Sequence, residues 1–162
     1  MTTTLTVLTM ACIGCISVQD FKERKVYWWL FPLVMLLLGY LHFLNSSDSW
    51  VFLNHISLNA LLVSMIICIL YLFTRIVAKK KFLNHSLGLG DILFFYGFAL
   101  GFPTLTFIIL FSNAILFSLF VFLILKKKRQ LKTVPLAGFM GSFLILMFFY
   151  VLIFKFPLLY AY

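Results

Sequence analysis

One charged residue, Asp91, stands in an otherwise uncharged stretch that covers residues 87–125. A membrane helix needs about 20 apolar residues to cross the roughly 30 Å hydrocarbon layer, so this stretch is long enough for two crossings. A charge at the centre of a membrane helix costs roughly 2.5–3.5 kcal/mol on insertion scales, and such residues usually face the protein interior and have a function. The stretch therefore predicts two membrane helices and marks Asp91 as a candidate functional residue.

The rest of the chain has the composition of a membrane protein. Of its 162 residues 64% are hydrophobic and 10% are charged, which is too little polar surface for a soluble domain of this length. Candidate spans are residues 3–18, 26–44, 51–76, 87–102, 104–125 and 134–154. Pro103 cannot continue a helical ladder, so residues 101–104 are the predicted turn after a short fourth span. The predicted fold is an all-α polytopic membrane protein, one domain over residues 1–162 with about six transmembrane helices.

The distribution of basic residues predicts which connections between the helices lie on the cytoplasmic side. All 13 lysines and arginines except Lys155 lie within residues 22–25, 75–81 and 126–132, which are the first, third and fifth connections of a six-helix chain. By the positive-inside rule these connections are cytoplasmic, so both termini are predicted to lie outside. Topology and anionic lipid account for the net charge of +9, and no nucleic-acid partner is predicted.

Two of the four acidic residues, Asp20 and Asp91, are predicted at helix ends on the cytoplasmic side, where they can meet. Two carboxylates in a poorly solvated site cannot both ionise cheaply, so the pair shares a proton and titrates as a unit. Such a pair can activate a water and polarise a carbonyl, as aspartic proteases do. Gly88 and Gly90, which lack Cβ atoms, allow another helix or a substrate strand to approach Asp91 closely.

Purely structural readings of both acids stay open. Asp20 can be a solvated acid that compensates Lys22 and Arg24, and Asp91 can be a helix-start acid that the helix dipole favours. Tyr27, Trp28 and Trp29 fit an interfacial aromatic belt at least as well as a substrate groove. The three histidines lie near predicted helix ends on two different sides, and no metal site is predicted.

Asp20 at the end of the first helix, Gly88-Leu89-Gly90-Asp91 at the start of the fourth and six helices in all resemble the GxGD intramembrane aspartyl proteases. The branch that fits is the type IV prepilin and preflagellin peptidases, because two helices separate the two aspartate-bearing ones. The resemblance implies a membrane aspartyl endopeptidase that cleaves the basic leader of pilin-like precursors at the cytoplasmic face. It implies Asp20 and Asp91 as catalytic residues, Gly88 and Gly90 as supporting residues, no metal or other cofactor, and a bacterial or archaeal cytoplasmic membrane.

The chain departs from that family at several positions. The Ile-Pro-Asn turn that commonly follows the first aspartate is absent, and Ile92 stands where a lysine often follows the second. Bifunctional members carry two CxxC pairs in an amino-terminal zinc-binding domain, whereas this chain has three cysteines, all within predicted helices. The expectation is a short form without the methyltransferase domain.

Two alternatives to a peptidase are retained. One is a polytopic component of a secretion or pilus assembly system, without catalytic activity, in which the two aspartates relay protons. The other is a degenerate family member that binds pilin-like helices without cutting them. Because pilin leaders are basic, the cytoplasmic lysines should repel them, so recognition is expected to come from the apolar helix of the precursor in the lipid bilayer.

Overall fold

The computed structural model describes residues 2–23, 25–76, 88–129, 135–154 and 159–160, and every regular element in this part of the chain is a helix. Six helices are described: α1 (Thr2–Glu23), α2 (Leu30–Asn45), α3 (Ser49–Ile76), α4 (Leu89–Gly101), α5 (Thr104–Arg129) and α6 (Leu136–Phe154). The all-α prediction is confirmed. The predicted turn at residues 101–104 is also confirmed, because α4 ends at Gly101 and α5 begins at Thr104.

Four of the six helices, α1, α3, α5 and α6, are long and apolar enough to cross a membrane. The other two are shorter: α2 has 16 residues and α4 has 13. At 1.5 Å per residue they measure about 24 Å and about 20 Å, which is less than the roughly 30 Å of a hydrocarbon layer. These two short helices pack mainly on each other.

The second helix begins later than the sequence predicts. Residues 26–29 were expected to be helical, but α2 starts at Leu30 and is preceded by an irregular connector, residues 25–29. The backbone N–H of Tyr27 donates to the Gln19 side-chain oxygen at 3.0 Å, so it is bonded to α1. These residues were predicted as helix because they are apolar. Instead, Trp28 and Val26 lie against a cavity at the end of the bundle.

Several sequence predictions fall on residues outside the described part of the chain. These are the predicted span starts at Leu87 and Val134, the basic residues Arg24, Lys79, Lys80, Lys81, Lys132 and Lys155, and His85.

Glycines allow two helix pairs, α1 with α6 and α2 with α4, to pack most extensively. A Cβ added to Gly141 on α6 would lie 2.5 Å from the Ser17 hydroxyl oxygen on α1. A Cβ added to Gly101 on α4 would lie 3.2 Å from Leu38 Cβ on α2. Small residues are the usual means by which membrane helices approach closely, since lipid supplies no hydrophobic drive for their association.

The centre of the bundle is aromatic. The Phe98 ring is almost fully buried, and phenylalanine rings from α4, the turn and α5 pack around it. Its ring centroid lies 5.6–6.3 Å from those of Phe94, Phe102, Phe107 and Phe111. Most of these pairs have tilted or edge-to-face geometry, which the quadrupoles of aromatic rings favour.

The carboxyl end of α4 is closed by side chains from other helices. The Asn59 amide nitrogen on α3 donates to the carbonyl oxygens of Ala99 and Phe102, at 2.9 and 2.8 Å. His42 Nδ1 on α2 donates to the carbonyl oxygen of Leu100 at 3.0 Å. The last carbonyls of a helix have no partner within the helix. These bonds therefore allow α4 to end inside the apolar bundle.

We expect Asn59→Ala to lower the thermal stability of the protein in detergent micelles. Asn59 is fully buried, and its removal leaves two buried carbonyl oxygens without their donor, at a cost of roughly 1–3 kcal/mol for each unpaired group. The unfolding temperature should fall by several degrees. Asn113→Ala is the matched control, because Asn113 is exposed and donates to Ile109 of its own helix. Equal unfolding temperatures for the two variants would contradict this account of how α4 ends.

Candidate functional site

Asp20 lies in the last turn of α1 and is half-buried. Its Oδ2 accepts a hydrogen bond from the backbone N–H of Gly138 at 2.7 Å. That distance is at the short end for N–H···O bonds, as expected when the acceptor is a carboxylate. The first helix of the chain is therefore bonded through Asp20 to the first turn of the last helix.

Asp91 lies in the first turn of α4, three residues after Gly88. The Gly88 N–H donates to Asp91 Oδ2 at 3.2 Å, so the side chain folds back over the start of its own helix. The other carboxylate oxygen, Oδ1, accepts from the N–H of Ala137 at 3.0 Å. Asp91 therefore satisfies one donor of α4 and one of α6.

The two carboxylates converge on one helix terminus. Ala137 and Gly138 are consecutive residues at the start of α6, and consecutive Cα atoms are only about 3.8 Å apart. The amino end of a helix carries roughly half a positive charge, and its first N–H groups have no partner within the helix. This terminus therefore offsets the repulsion between two acids that are distant in the sequence.

A cavity of about 290 Å³ opens between these helix ends. Its lining contains Asp20, Gly88, Gly90, Asp91 and Ala137, together with the apolar residues Val26, Trp28, Phe31, Leu89 and Leu93. This volume is close to the lower limit of pockets that hold small organic ligands. The cavity therefore has room for a water and a short piece of peptide beside the carboxylates.

Glycines keep the cavity open next to Asp91. A Cβ built on Gly90 would lie 2.9 Å from Cζ of Phe31, a contact that real Cβ atoms essentially never make. A Cβ on Gly88 would lie 3.1 Å from Asp91 Oδ2. A larger residue at Gly90 would displace the tip of the Phe31 ring, and one at Gly88 would press on the Asp91 carboxylate.

All four site residues that the sequence predicted line this one cavity. Asp20 and Asp91 line the same cavity and bond to adjacent N–H groups of α6, and their catalytic role stays a prediction. The backbone donors of Ala137 and Gly138 were not predicted, because a backbone N–H leaves no signature in the sequence. Pro135 just before α6 marks the helix start, but it does not indicate which residues the first turn would contact.

Two of the histidines meet at the other end of α4. The rings of His42 and His55 have centroids 6.0 Å apart, and the Thr104 N–H donates to His55 Nδ1 at 3.3 Å. The described residues contain no group of three His, Cys, Asp or Glu side chains that could hold a metal ion. His85 lies outside this described set.

None of the protein-family models, curated proteins or solved structures compared with this chain matches it.

Two substitutions at Asp20 should distinguish the contribution of its hydrogen bond to stability from the contribution of its charge. In Asp20→Asn the amide oxygen can still accept from the Gly138 N–H, and Asp91 no longer shares the site with a second acid. We therefore expect an unfolding temperature in micelles equal to or above that of the unmodified protein. In Asp20→Ala the N–H of the buried Gly138 loses its acceptor, and stability should fall by roughly 1–3 kcal/mol.

The control for this comparison is Glu23→Ala, which removes an exposed acid from the same helix end and should leave the unfolding temperature unchanged. If Asp20→Asn were as destabilised as Asp20→Ala, the bond between α1 and α6 would not contribute in the way described.

Proposed function

We propose that this chain is a membrane aspartyl endopeptidase that cleaves the leader peptide of type IV pilin-like precursors at the cytoplasmic face of the membrane. One observation carries the proposal: Asp20 and Asp91 bond to adjacent backbone N–H groups and line the same cavity. The resemblance to prepilin and preflagellin peptidases, through Asp20 and Gly88-Leu89-Gly90-Asp91, supplies the substrate class. The corresponding location is the cytoplasmic membrane of a bacterium or archaeon.

The chemistry needs only these two side chains and water. The ionised carboxylate takes a proton from the water, whose oxygen bonds to the carbonyl carbon of the scissile peptide, while the protonated carboxyl polarises the carbonyl oxygen. Collapse of the tetrahedral intermediate breaks the carbon–nitrogen bond, and a carboxyl proton passes to the leaving amine. Close carboxylates in a poorly solvated site favour the singly protonated pair that this mechanism requires.

The bonds to α6 support this assignment of roles. Donors from Gly88, Ala137 and Gly138 hold three of the four carboxylate oxygens, so the side chains are oriented before a substrate enters. Catalytic groups held in place in this way lose little entropy when the reaction begins. Both carboxylates line the cavity, so a water held there can contact the pair.

The proposed topology has six crossings with both termini outside. Four helices have the length for this, and the short pair α2 and α4 would cross where the layer is locally thinner, an adjustment of modest cost. The basic residues Lys22 and Lys25 lie near the Asp20 end of α1, and the α5 helix continues through residues 126–129. The positive-inside rule then assigns the cavity to the cytoplasmic side.

A proton relay is the alternative from another functional class. A relay across the membrane needs polar groups between the two ends of the bundle. The buried side chains of α4 between Asp91 and its carboxyl end are instead Phe94, Phe95, Phe98 and Ala99. This apolar stretch of α4 favours local chemistry at Asp91 over proton transfer along that helix.

Asp20→Asn and Asp91→Asn should each abolish cleavage of a pilin-like precursor by the purified protein in proteoliposomes. An amide of the same size cannot exchange the proton that the mechanism needs. In Asp20→Asn the amide oxygen can still accept the bond from Gly138, whereas in Asp91→Asn it can accept only one of the two bonds from Gly88 and Ala137. Because the two groups act as one unit, the double variant should be about as inactive as either single one. Cleavage is measured by the shift in mass of the precursor.

The control is Glu23→Gln, an equally conservative change at an exposed acid of the same helix end, which should retain activity. Wild-type cleavage by Asp20→Asn would refute the catalytic pair. Absence of cleavage by the unmodified protein, with precursors from several sources, would favour the relay or the binding-only reading.

Reporter fusions test the topology independently of activity. Fusions after Lys25, after Lys81 and after Lys132 should report cytoplasm, whereas fusions at residues 46–49 and after Tyr160 should report the outside. A cytoplasmic carboxyl terminus would be incompatible with six crossings that leave both termini outside.

A further inference from the structure

The connector between α1 and α2, residues 25–29, forms one wall of the cavity. Two bonds determine its course. The Tyr27 N–H donates to Gln19 Oε1, one residue before Asp20, and the Leu30 N–H donates to the Tyr27 carbonyl at 3.0 Å. Tyr27, the residue before Trp28, is therefore bonded both to α1 and to the start of α2, and Trp28 lines the same cavity as the carboxylates.

Trp28 and Phe31 form the apolar wall at different depths. Phe31 is 4% exposed, and its ring tip fills the space above Gly90. Trp28 is 75% exposed although it lines the same cavity, so its indole lies at the mouth with most of its surface uncovered. An aromatic side chain of this size gains most when a partner covers that surface, because it can bury 150–250 Å².

The lining of the cavity combines two carboxylates, those of Asp20 and Asp91, with apolar side chains that include Val26, Trp28 and Phe31. A peptide whose carbonyl carbon faces the carboxylates must direct a neighbouring side chain elsewhere, since successive side chains of an extended segment point to opposite faces. The rest of the lining is mainly apolar, and a charged group placed against it would lose its hydration without gaining a partner.

We propose that Trp28 is a substrate-positioning residue, whose indole packs over an apolar side chain of the substrate next to the cleaved bond. This inference rests on the proposed peptidase function and adds a specificity to it. The precursor enters as an extended segment at the end of its apolar helix and is held in register by that side chain. Trp28 acts in binding, so it contributes to the ground state and the transition state alike and appears in KM.

The test compares Trp28→Ala and Trp28→Phe with Trp29→Ala. Trp29 is the matched control, because it is the adjacent tryptophan, is 53% exposed and does not line the cavity. Initial rates of precursor cleavage in proteoliposomes should give a KM about tenfold higher for Trp28→Ala, with kcat within about twofold of wild type. Trp28→Phe should recover most of the affinity, and Trp29→Ala should match the unmodified protein.

A second set of precursors identifies the side chain that Trp28 contacts. Replacing the apolar residue on either side of the cleaved bond by serine should raise KM in the unmodified protein. The same replacement should have little further effect in Trp28→Ala, because two groups that contact each other are not additive. Equal effects of serine in both proteins, or a Trp28→Ala variant that behaves like Trp29→Ala, would overturn the inference.

Binding of the precursor to an inactive background keeps this test separate from that of the peptidase function. Fluorescence anisotropy of a labelled precursor measures its affinity for Asp91→Asn, with and without Trp28→Ala or Trp29→Ala. Loss of affinity with Trp28→Ala alone supports the positioning role even if the unmodified protein cuts nothing, in which case only the catalytic proposal fails. Absence of any binding, or equal binding by all three proteins, refutes the role of Trp28.

Discussion

The hydrogen bonds between the first turn of α6 and the two carboxylates are the interaction on which the site depends. Charges are costly within an apolar bundle, and two like charges close together are more costly still. The N–H groups of Ala137 and Gly138 reduce both costs, because they are unpaired donors at the positive end of a helix. The same two bonds connect α1 and α4 through α6. The hydrogen bonds that lower the energetic cost of the two acids therefore also orient their carboxylates.

Close helix packing makes these bonds possible. The α1–α6 pair approaches through Gly141, and at the site Gly138 leaves no room for a Cβ, which would lie 2.8 Å from the Phe21 ring. Phe21 in turn packs on Phe139 with ring centroids 5.2 Å apart. A bulkier residue at Gly138 would have to displace the Phe21 ring or the Asp20 carboxylate, whose Oδ2 would lie 3.1 Å from the added Cβ. The bond between the Asp20 carboxylate and α6 thus depends on the absence of a side chain at Gly138.

The sequence correctly predicted the elements that one physical signal dominates. It did not predict the backbone conformation where contacts between elements determine it. Long apolar runs predicted the helices, Pro103 predicted the turn, and scarcity of acids made Asp20 and Asp91 prominent. Residues 26–29 were predicted as helix because they are apolar. Their backbone is instead bonded to Gln19, which belongs to another element, α1. The donors of Ala137 and Gly138 belong to the backbone, which every residue shares. Such contacts emerge only when the helices are assembled.

The two ends of α4 differ, and the difference places the proposed chemistry at its amino end. At the carboxyl end, Asn59 and His42 occupy carbonyls of the last turn, and the neighbouring side chains close around them. At the amino end, Asp91 bonds to backbone donors, yet it still lines a cavity with an exposed tryptophan at its mouth. Phenylalanines fill the space between. A helix whose carboxyl end is bonded to neighbouring helices and whose amino end borders a cavity suits the proposed reaction, in which the polar substrate segment enters and leaves by the same opening.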